Sequence, residues 1–567
     1  MSSLVRSRIF SDWVTNYQRE NLGGDINAGI TVGVMLIPQG LAYALVAGMP
    51  PIYGLYATLI PLIVYALLGT SGQLAVGPVA MVSLLVATGV APFAEAGSEA
   101  YIQLALLLAL LVGAIQLGLG LLRFGFVTNF LSHPVLSGFT SAVSLIIAAS
   151  QLKHLTGISI PSEGNILDTL VYIGGHLGNI HGPTIAIGLG GMAIIVAIKR
   201  FYPKIPGGVV ALLLAILITW QAGLHEMGVA IVGSVPAGLP SFTTDFLSFS
   251  NAKMLFPTAL AIALVGYLES IAVAKAFASK HNYSIDPSRE LVALGLANVF
   301  GSFFRSFPTT GGLARTAVNN DAGAKTGLAS LLSVGVVGLA LLFFTPLFTY
   351  LPKALLASVI VIAVSGLIDI KEIKYLWKVN KTDLGLLMAT GLAALFLGIE
   401  EGILVGVILS LLAFIHQASK PHMARLGQLA GTETFRNVDR FPDAVTTPGV
   451  VIFRIDASLF FGNIDTVRDA IEAVTPNIDG PNNPEVLVLD LYPVNRVDSS
   501  ALHVLTKLHE TLRSRKVKLF FSGVKGPVRD AMKASGLDAQ VGTAHFYNSV
   551  FDASESAKRH LNSYLGS

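Results

Sequence analysis

The stretch PTTGGLART, residues 308–316, interrupts an apolar region with two adjacent glycines and one arginine, Arg315. About forty residues earlier, Glu269 is the only charged residue in the apolar run 259–274. A polypeptide segment inside the hydrocarbon core of a membrane rarely contains an ionisable side chain or an unwound glycine stretch unless these form part of a functional site. Together the two features predict a broken helix that binds an anion, with a titratable carboxylate beside it.

The composition is that of a membrane protein with a soluble C-terminal part. Apolar residues make up 53% of the 567 residues and charged residues only 13%, whereas a soluble globular protein carries about 25% charge. From about Arg425 onward the charge density is that of a soluble protein. We predict a cytoplasmic N-terminal segment (residues 1–24), a transmembrane domain (25–420), a linker (421–447) and a soluble domain (448–560).

Several kinds of site are excluded by what the sequence lacks. The chain has no cysteine, which rules out disulfides and thiolate metal sites. It contains no Walker loop, hydrolase elbow or paired histidines, and no basic stripe with interleaved aromatic residues. We therefore expect no enzyme activity, no cofactor or metal, and no nucleic-acid partner.

The basic residues predict how the chain crosses the membrane. If Arg6, Arg8 and Arg19 are cytoplasmic, nearly every basic loop falls on the cytoplasmic side, as the positive-inside rule requires, and Lys153 is the clear exception. This predicts a multi-pass protein of the cell's inner (plasma) membrane with both termini in the cytoplasm. The fourteen apolar spans cover residues 26–47, 52–69, 77–90, 101–122, 127–152, 183–199, 208–222, 254–279, 289–303, 312–320, 327–349, 353–369, 384–398 and 402–418.

The spans divide into two sets of seven, 26–222 and 254–418. In each set the third span is a short helix that follows a glycine break, QLAVGPVAM at 73–81 and TTGGLARTAV at 309–318. An odd number of crossings per set gives the two sets opposite orientations. This is the inverted-repeat plan of many secondary transporters, which bind their substrate near the midplane between half-helices.

Two facing half-helix N-termini favour an anion, because they present free backbone N–H groups and the positive ends of two helix dipoles. Arg315, in the first turn of the second half-helix, adds a fixed charge and a fork of donors suited to an oxyanion. The structural alternative is that Arg315 snorkels or only pairs with Glu269.

Glu269 has a functional and a structural interpretation. Burial disfavours a charged carboxyl and a nearby positive charge favours it, so we expect Glu269 to exchange a proton near neutral pH. A deprotonated glutamate would repel a bound anion, so protonation would link proton uptake to anion binding. The alternative is a buried carboxylate that is satisfied by a hydroxyl or backbone partner and serves packing.

The first span carries a further break signal at Pro38, which removes a backbone donor in mid-span. Gln39 and Tyr43 are four residues apart and therefore share a helix face, from which both can project into one cavity. For Tyr43 alone, core packing is an equal alternative.

Three segments carry a resemblance to a known family: IPQGLAYA at 37–44, AVGPVAMVSL at 75–84 and VFGSFFRSFPTTGGLARTAVNNDAGAKT at 299–326. They resemble the sulfate permease (SulP) family of anion transporters. The resemblance implies a polytopic α-helical membrane protein of fourteen membrane segments, a 7+7 inverted repeat arranged as core and gate domains, plus a cytoplasmic α/β STAS domain. It also implies a homodimer and an elevator-like movement of the core.

By this resemblance the anion lies between the N-termini of the third and tenth helices, and Glu269 occupies the acidic position associated with proton coupling. Some family members have serine at the position of Ala314, so selectivity does not carry over. The residues expected to bind the substrate are Gln39, Tyr43, Val79, Gly312, Leu313, Ala314 and Arg315.

The C-terminal domain resembles a STAS domain. Residues 449–461, 485–491 and 517–523 have the pattern of strands, and residues 500–515 that of an amphipathic helix. The serines after Asp498 suit a helix N-cap. Because related STAS proteins are phosphorylated on a serine at this turn, Ser499 or Ser500 is also a regulatory hypothesis, and a cytoplasmic protein partner of this domain is a further expectation.

The leading hypothesis is a secondary active transporter in the lipid bilayer, a symporter of protons with sulfate or a similar small anion. The alternatives within transport are a dicarboxylate symporter, a bicarbonate transporter and a chloride or anion exchanger. Alternatives of another class are a channel-like protein and a membrane sensor that signals through the C-terminal domain.

Overall fold

The computed structural model describes residues 10–125, 132–159, 166–202, 206–475 and 484–565. Its chain divides into two compact units, Met1–Ser410 and Leu411–Ser567. Arg6, Arg8 and the start of the predicted fifth span lie outside the described residues.

The first half of the large unit contains a sequence of apolar helices and one short strand. The elements are α1 (Asp12–Thr15), α2 (Leu22–Val46), α3 (Ile52–Tyr56), α4 (Ile60–Leu68), β1 (Val76–Gly77), α5 (Ala80–Val90), α6 (Glu99–Leu121), α7 (His133–Ser150), α8 (Leu152–Thr156), α9 (Ile166–Gly175), α10 (Gly182–Phe201) and α11 (Gly207–Gln221).

The second half repeats this plan, with a strand again placed before a short helix. The elements are α12 (Phe249–Lys280), α13 (Pro287–Phe303), β2 (Thr310–Gly311), α14 (Leu313–Asp321), α15 (Leu328–Leu339), α16 (Lys353–Ser365), α17 (Ile370–Val379), α18 (Lys381–Phe396) and α19 (Ile399–Ser419). A π-helical and a 3-10 segment extend α15 to Tyr350.

Within the described residues, every one of the fourteen predicted spans contains a helix, so the predicted order of segments is confirmed. In the part of the chain that the structure describes, eight helical segments are long and apolar enough to cross a membrane by length and composition. The third and tenth spans, α5 and α14, are short, as the glycine breaks predict.

The helices pack as two groups, the core and the gate. In the core, α13 lies along α6 and α15 along α2, with α12 against α6. Glycines permit a close approach of α13 to α6: a Cβ on Gly113 would lie 2.6 Å from the backbone nitrogen of Val299, and one on Gly295 would lie 2.5 Å from that of Leu117. Small residues at such a contact allow two helix backbones to pack directly. In the gate, α7 pairs with α18 and α10 with α16.

The C-terminal unit is an α/β domain, as predicted. Its parallel strands run in the order β6-β7-β8-β9, and β3 pairs antiparallel with β6. Apolar side chains from the sheet and the helices form a core on each face. The elements are β3 (Met423–Leu429), β4 (Phe435–Asn437), β5 (Ala444–Val445), β6 (Val450–Ile455), α20 (Ile464–Val474), β7 (Val486–Asp490), α21 (Ser499–Ser514), β8 (Lys518–Ser522), α22 (Gly526–Ala534), α23 (Leu537–Val541), β9 (Phe546–Tyr547) and α24 (Val550–Leu565).

The segment predicted as a linker, residues 421–447, is part of the folded C-terminal domain. It forms β3, β4 and β5, which extend the sheet of the C-terminal domain by antiparallel pairing. The prediction failed because short strands at a sheet edge have too little hydrophobic alternation to be distinguished from a polar connection.

Candidate functional site

The two glycine breaks meet as a two-stranded antiparallel ribbon. Val76 of β1 is opposite Gly311 of β2, and Gly77 is opposite Thr310. The short helices α5 and α14 leave this ribbon, and neither of their N-cap residues provides a side-chain hydrogen bond. Two helix N-termini with free donors therefore begin at one place, and such ends attract an anion.

Hydroxyl and amide side chains from the core helices fix the second break. Ser270 on α12 accepts a hydrogen bond from the backbone nitrogen of Gly311 at 2.7 Å, and its oxygen lies 2.6 Å from Oγ1 of Thr310. Asn298 on α13 accepts from the backbone nitrogen of Thr309 at 2.8 Å and donates to the Thr309 carbonyl at 3.0 Å. These contacts satisfy backbone groups that an unwound segment at membrane depth must pair with other parts of the protein.

A cavity of about 40 Å³ lies at the two helix N-termini. A buried site needs only about 10–15 Å³ of such space to hold one water, so this cavity suits a small ion or a few waters. All seven residues predicted to bind the substrate line it, and so does Glu269. The complete lining is Gln39, Tyr43, Val79, Ala80, Met81, Glu269, Gly312, Leu313, Ala314, Arg315, Ala363, Val364 and Leu367.

Arg315 is 2% exposed and lies in the first turn of α14. Its Nη1 and Nη2 atoms are buried and have no hydrogen-bond partner in the described part of the chain. Two glycines leave space for the guanidinium: a Cβ on Gly77 would lie 2.6 Å from Nη1, and one on Gly312 would lie 3.1 Å from Nε. A buried guanidinium with unpaired donors is strongly disfavoured unless an anion completes it.

Glu269 also has an unpaired group at this cavity. Its Oε2 atom is buried without a hydrogen-bond partner among the described residues. Among the described residues, Glu269 and Arg315 are not joined by an ion pair. In the described part of the chain, therefore, the direct pair considered as an alternative does not form, and Oε2 of Glu269 is not satisfied by a neighbouring hydroxyl or backbone group.

Gln39 and Tyr43 both line the cavity, from one face of α2. The helix continues through Pro38 without a break, which corrects the predicted interruption of the first span. The Gln39 Oε1 atom is buried and without a partner in the described part of the chain. The site thus holds both an unpaired acceptor and unpaired donors.

The opposite wall of the cavity was not predicted. Ala363 and Val364, in the last turn of α16, and Leu367, just after it, close the cavity. Apolar residues in an apolar span carry no sequence signal for such a role. Leu313 and Ala314 are exposed, so the cavity is not sealed at the start of α14.

A second buried carboxylate, Glu290, also escaped the sequence analysis. It is fully buried at the start of α13. Tyr65 donates its hydroxyl to Oε2 at 2.7 Å, and both the backbone nitrogen and the hydroxyl of Thr70 donate to Oε1 at 2.6 Å. Glu290 therefore ties α13 to the segment between α4 and β1, which precedes the first glycine break.

In the C-terminal domain, Ser499 and Ser500 are exposed at the first two positions of α21. The cap itself is Asp498, whose Oδ1 accepts from the backbone nitrogen of Ala501 at 2.8 Å. Its Oδ2 accepts from the backbone nitrogen of Phe461 at 2.9 Å. The serines are thus accessible and do not serve as the cap.

Comparisons with known proteins agree with this architecture. The model of the sulfate permease family matches residues 22–390, and that of the STAS domain matches residues 441–553. The chain is 39% identical to the chloroplastic sulfate transporter 4.1 of Arabidopsis thaliana, over 97% of this chain and 82% of the relative. It is 35% identical to a probable sulfate transporter of Mycobacterium tuberculosis, over 96% of each protein.

Among solved structures, the murine solute carrier 26 family member A9 anion transporter in its inward-facing state matches with a TM-score of 0.88 at 28% identity, over 96% of this chain and 93% of that one. The transmembrane domain of a cyanobacterial bicarbonate transporter, BicA, matches with a TM-score of 0.60 at 23% identity, over 71% and 99%. The second likeness is one of fold alone. By its sequence and its architecture, the chain belongs to the sulfate permease family of membrane transporters, and its C-terminal unit is a STAS domain.

Proposed function

We propose that the protein is a secondary active transporter that carries sulfate, or a closely similar oxyanion, together with protons. The observation that carries this proposal is the pair of unsatisfied charged side chains at one small cavity: the donors of Arg315 and the carboxylate of Glu269. Intramembrane ionisable groups without internal partners are expensive to keep unless transport uses them.

The cavity supplies what an oxyanion needs. The N-termini of α5 and α14 offer backbone donors, and Arg315 offers a planar fork of N–H groups. The oxyanion satisfies these donors when it binds, and Gln39 and Tyr43 border it from α2. The small volume favours a compact inorganic anion over a four-carbon dicarboxylate, and the printed names of the relatives support sulfate within that class.

Glu269 provides the coupling to protons. When it is charged, it repels an anion held at the two helix N-termini, and when it is protonated this repulsion disappears. Proton binding therefore strengthens anion binding, and by linkage the anion strengthens proton binding to the same extent. A downhill proton gradient then drives anion accumulation.

Alternating access follows from where the cavity lies. Its anion-binding side is carried by core helices α2, α5, α12 and α14, and its opposite wall by gate helix α16. Movement of the core past the gate, as an elevator, exposes the anion to one side of the membrane and then the other. The exposed Leu313 and Ala314 near the C-terminal end of α16 support an opening toward the side predicted as cytoplasmic, as in the inward-facing relative.

The setting of this transporter completes the proposal. It is a homodimer in the inner (plasma) membrane with cytoplasmic termini, and its STAS domain receives a cytoplasmic protein partner. The accessible Ser499 and Ser500 are the positions for regulatory phosphorylation, since a phosphate at a helix N-terminus is electrostatically accommodated.

The test is uptake of labelled sulfate into proteoliposomes with and without an inward proton gradient. The proposal predicts saturable, gradient-dependent accumulation that unlabelled sulfate inhibits more strongly than bicarbonate, chloride or a C4-dicarboxylate. Accumulation of bicarbonate in place of sulfate would overturn the substrate, and strict one-for-one exchange that ignores the gradient would overturn the coupling. Ion currents of channel size would overturn the transporter mechanism itself.

A further inference from the structure

A second basic cavity, about 760 Å³ in volume, lies in the gate at the membrane side opposite the predicted cytoplasmic face. Residues of α8, the loop after it, the N-terminus of α10, the segment after α11 and the N-terminus of α16 line it. Its ionisable and imidazole groups are Lys153, His154, His181 and Lys353. The lining contains no aspartate or glutamate among the residues that the structure describes.

The charges converge because two helices start there. His181 is the N-cap of α10 and makes no capping hydrogen bond, and Lys353 is the first residue of α16. Both helices present the positive ends of their dipoles to the cavity. His154 lines the same cavity as Lys153 and Lys353. The cavity thus gathers two lysine charges and the positive ends of two helix dipoles, which an anion would complement.

Two glycines keep this cavity open, and a side-chain contact orients one imidazole. Nδ1 of His181 lies 2.7 Å from Oγ1 of Thr184, which leaves Nε2 for another partner. Nε2 would lie 3.6 Å from a Cβ on Gly228, and a Cβ on Gly157 would lie 2.9 Å from that of His181. Both glycines have positive φ, at +96° and +75°, so a side chain at either position would be strained as well as obstructive.

Lys153 is also the clearest departure from the positive-inside pattern, and Lys353, at the start of α16, lies on the same predicted side. A lysine on the non-cytoplasmic side opposes the charge bias of membrane insertion, and the central transport site does not use it. Its place beside Lys353, His154 and His181 gives it a role.

We propose that this cavity is an accessory site for a multivalent oxyanion, a sulfate or phosphate group. The group comes either from a free ion or from a lipid headgroup. Lys153 and Lys353 neutralise its charge and donate hydrogen bonds from their ammonium groups, and Nε2 of His181 donates in the tautomer whose Nδ1 accepts from the Thr184 hydroxyl. A volume within the usual range of small-molecule sites, roughly 300–1,000 Å³, leaves room for the hydration waters of an ion or for the rest of a headgroup.

The site is separate from the transport cavity but shares a helix with it. Lys353 and Ala354 at the start of α16 line the accessory cavity, and Ala363 and Val364 near its end line the transport cavity. Ten residues of helix separate the two, about 15 Å. An oxyanion bound at the accessory site therefore contacts the same gate helix that closes the transport cavity.

The chain has no cysteine, so a single introduced thiol reports on the accessory cavity alone. We would place Ser159→Cys at the exposed cavity edge, and Ala237→Cys, exposed in the uncharged stretch 229–241 between α11 and α12, as the matched control. The measurement is the rate at which each thiol reacts with an anionic and with a cationic thiosulfonate reagent. Both measurements use the full-length protein in nanodiscs. In one arm the nanodiscs are phosphatidylcholine, and sulfate or inorganic phosphate is added. In the other arm the nanodiscs contain phosphatidylglycerol, and no free oxyanion is added.

We expect the S159C thiol to favour the anionic reagent by about tenfold over the control position, as electrostatic focusing by a basic cavity predicts. Free sulfate or phosphate that slows this reaction identifies a free ion as the ligand. Slowing only in phosphatidylglycerol discs identifies a lipid headgroup. The additional changes Lys153→Gln and Lys353→Gln should abolish both the preference and the protection, with an unchanged thermal unfolding midpoint as the folding control.

Reaction rates at S159C that neither oxyanion nor anionic lipid changes would overturn the proposal. Protection that persists in the double glutamine variant would also overturn it, because the ligand would then bind elsewhere. Since no uptake is measured, these outcomes are independent of whether sulfate is the transported substrate.

Discussion

Glu269 and Glu290 are both glutamates of core helices, and their surroundings differ completely. Glu290 receives three hydrogen bonds, from the Tyr65 hydroxyl and from the backbone nitrogen and hydroxyl of Thr70. Glu269 lines the small cavity at the two helix N-termini with a buried oxygen that has no partner in the described part of the chain. The chain can evidently satisfy a buried carboxylate when the carboxylate has a structural role.

The difference indicates how to separate structure from function among intramembrane charges. Burial alone does not do so, because Glu290 is the more deeply buried of the two. Hydrogen-bond satisfaction does, because an unpaired buried group lowers stability and persists where a ligand or a proton completes it. By this criterion Arg315 belongs with Glu269.

The largest effect on stability is expected at Glu290. Glu290→Ala leaves the donors of Tyr65 and Thr70 buried without an acceptor, and the unpaired groups together should lower the free energy of unfolding by about 3 kcal/mol. Glu269→Ala, at the unpaired carboxylate, should lower it by far less. Thermal unfolding of the two variants in the same detergent measures this difference. Equal losses of stability would remove the distinction between the two glutamates.

Arg315→Ala should weaken anion binding rather than the fold. Loss of charge-assisted hydrogen bonds, about 1.5–3 kcal/mol, corresponds to an affinity for sulfate roughly 10- to 100-fold lower. The concentration dependence of sulfate uptake measures this, with Arg315→Lys as the variant that keeps the charge without the planar fork. An unchanged affinity in Arg315→Ala would make this arginine structural.

Gly77→Ala tests whether the position of the guanidinium matters as well as its charge. The new Cβ would lie 2.6 Å from Nη1 of Arg315, so the side chain must shift, and we expect affinity to fall by about tenfold, since a displacement costs part of a charged hydrogen bond. Gly335→Ala is the matched control, because a Cβ there meets nothing within 4 Å. If both alanines had the same effect on uptake, the packing around Arg315 would be irrelevant to binding.

The smallest effect on stability is expected at Asp498, a carboxylate near the surface of the STAS domain that accepts two backbone hydrogen bonds. Asp498→Ala removes the cap of α21 and its bond to Phe461, which should destabilise the domain by about 1 kcal/mol. Denaturant unfolding of the full-length protein, followed by a probe in the STAS domain, detects this change. If Asp498→Ala lowered the free energy of unfolding as much as Glu290→Ala, the stability cost of losing a hydrogen-bonded carboxylate would not depend on how deeply it is buried.

The sequence predicted much of the site because the relevant signals are local. Glycine breaks, an isolated arginine and an isolated glutamate stand out in apolar spans, and the structure brings Gln39, Val79, Glu269 and Arg315 to one cavity. Whether these residues bind and couple as expected stays a prediction that transport measurements decide.

What the sequence could not predict depends on distant partners. Glu290 follows Arg289 at the end of a span and looks like an ordinary interfacial charge, whereas its partners Tyr65 and Thr70 are more than two hundred residues away. Pro38 looked like a helix break, yet α2 continues through it because tertiary packing overrides the local preference. The gate wall is apolar and gives no signal at all.

The central claim is that Glu269 carries the coupled proton, and Glu269→Gln tests it most directly. The measurement compares, in the same proteoliposomes, sulfate–sulfate exchange with sulfate accumulation driven by an inward proton gradient, and it uses Glu290→Gln as the isosteric control. We predict that Glu269→Gln keeps exchange and loses gradient-driven accumulation, while the control keeps both. Full accumulation by Glu269→Gln would contradict the account, because the proton would then enter by another route.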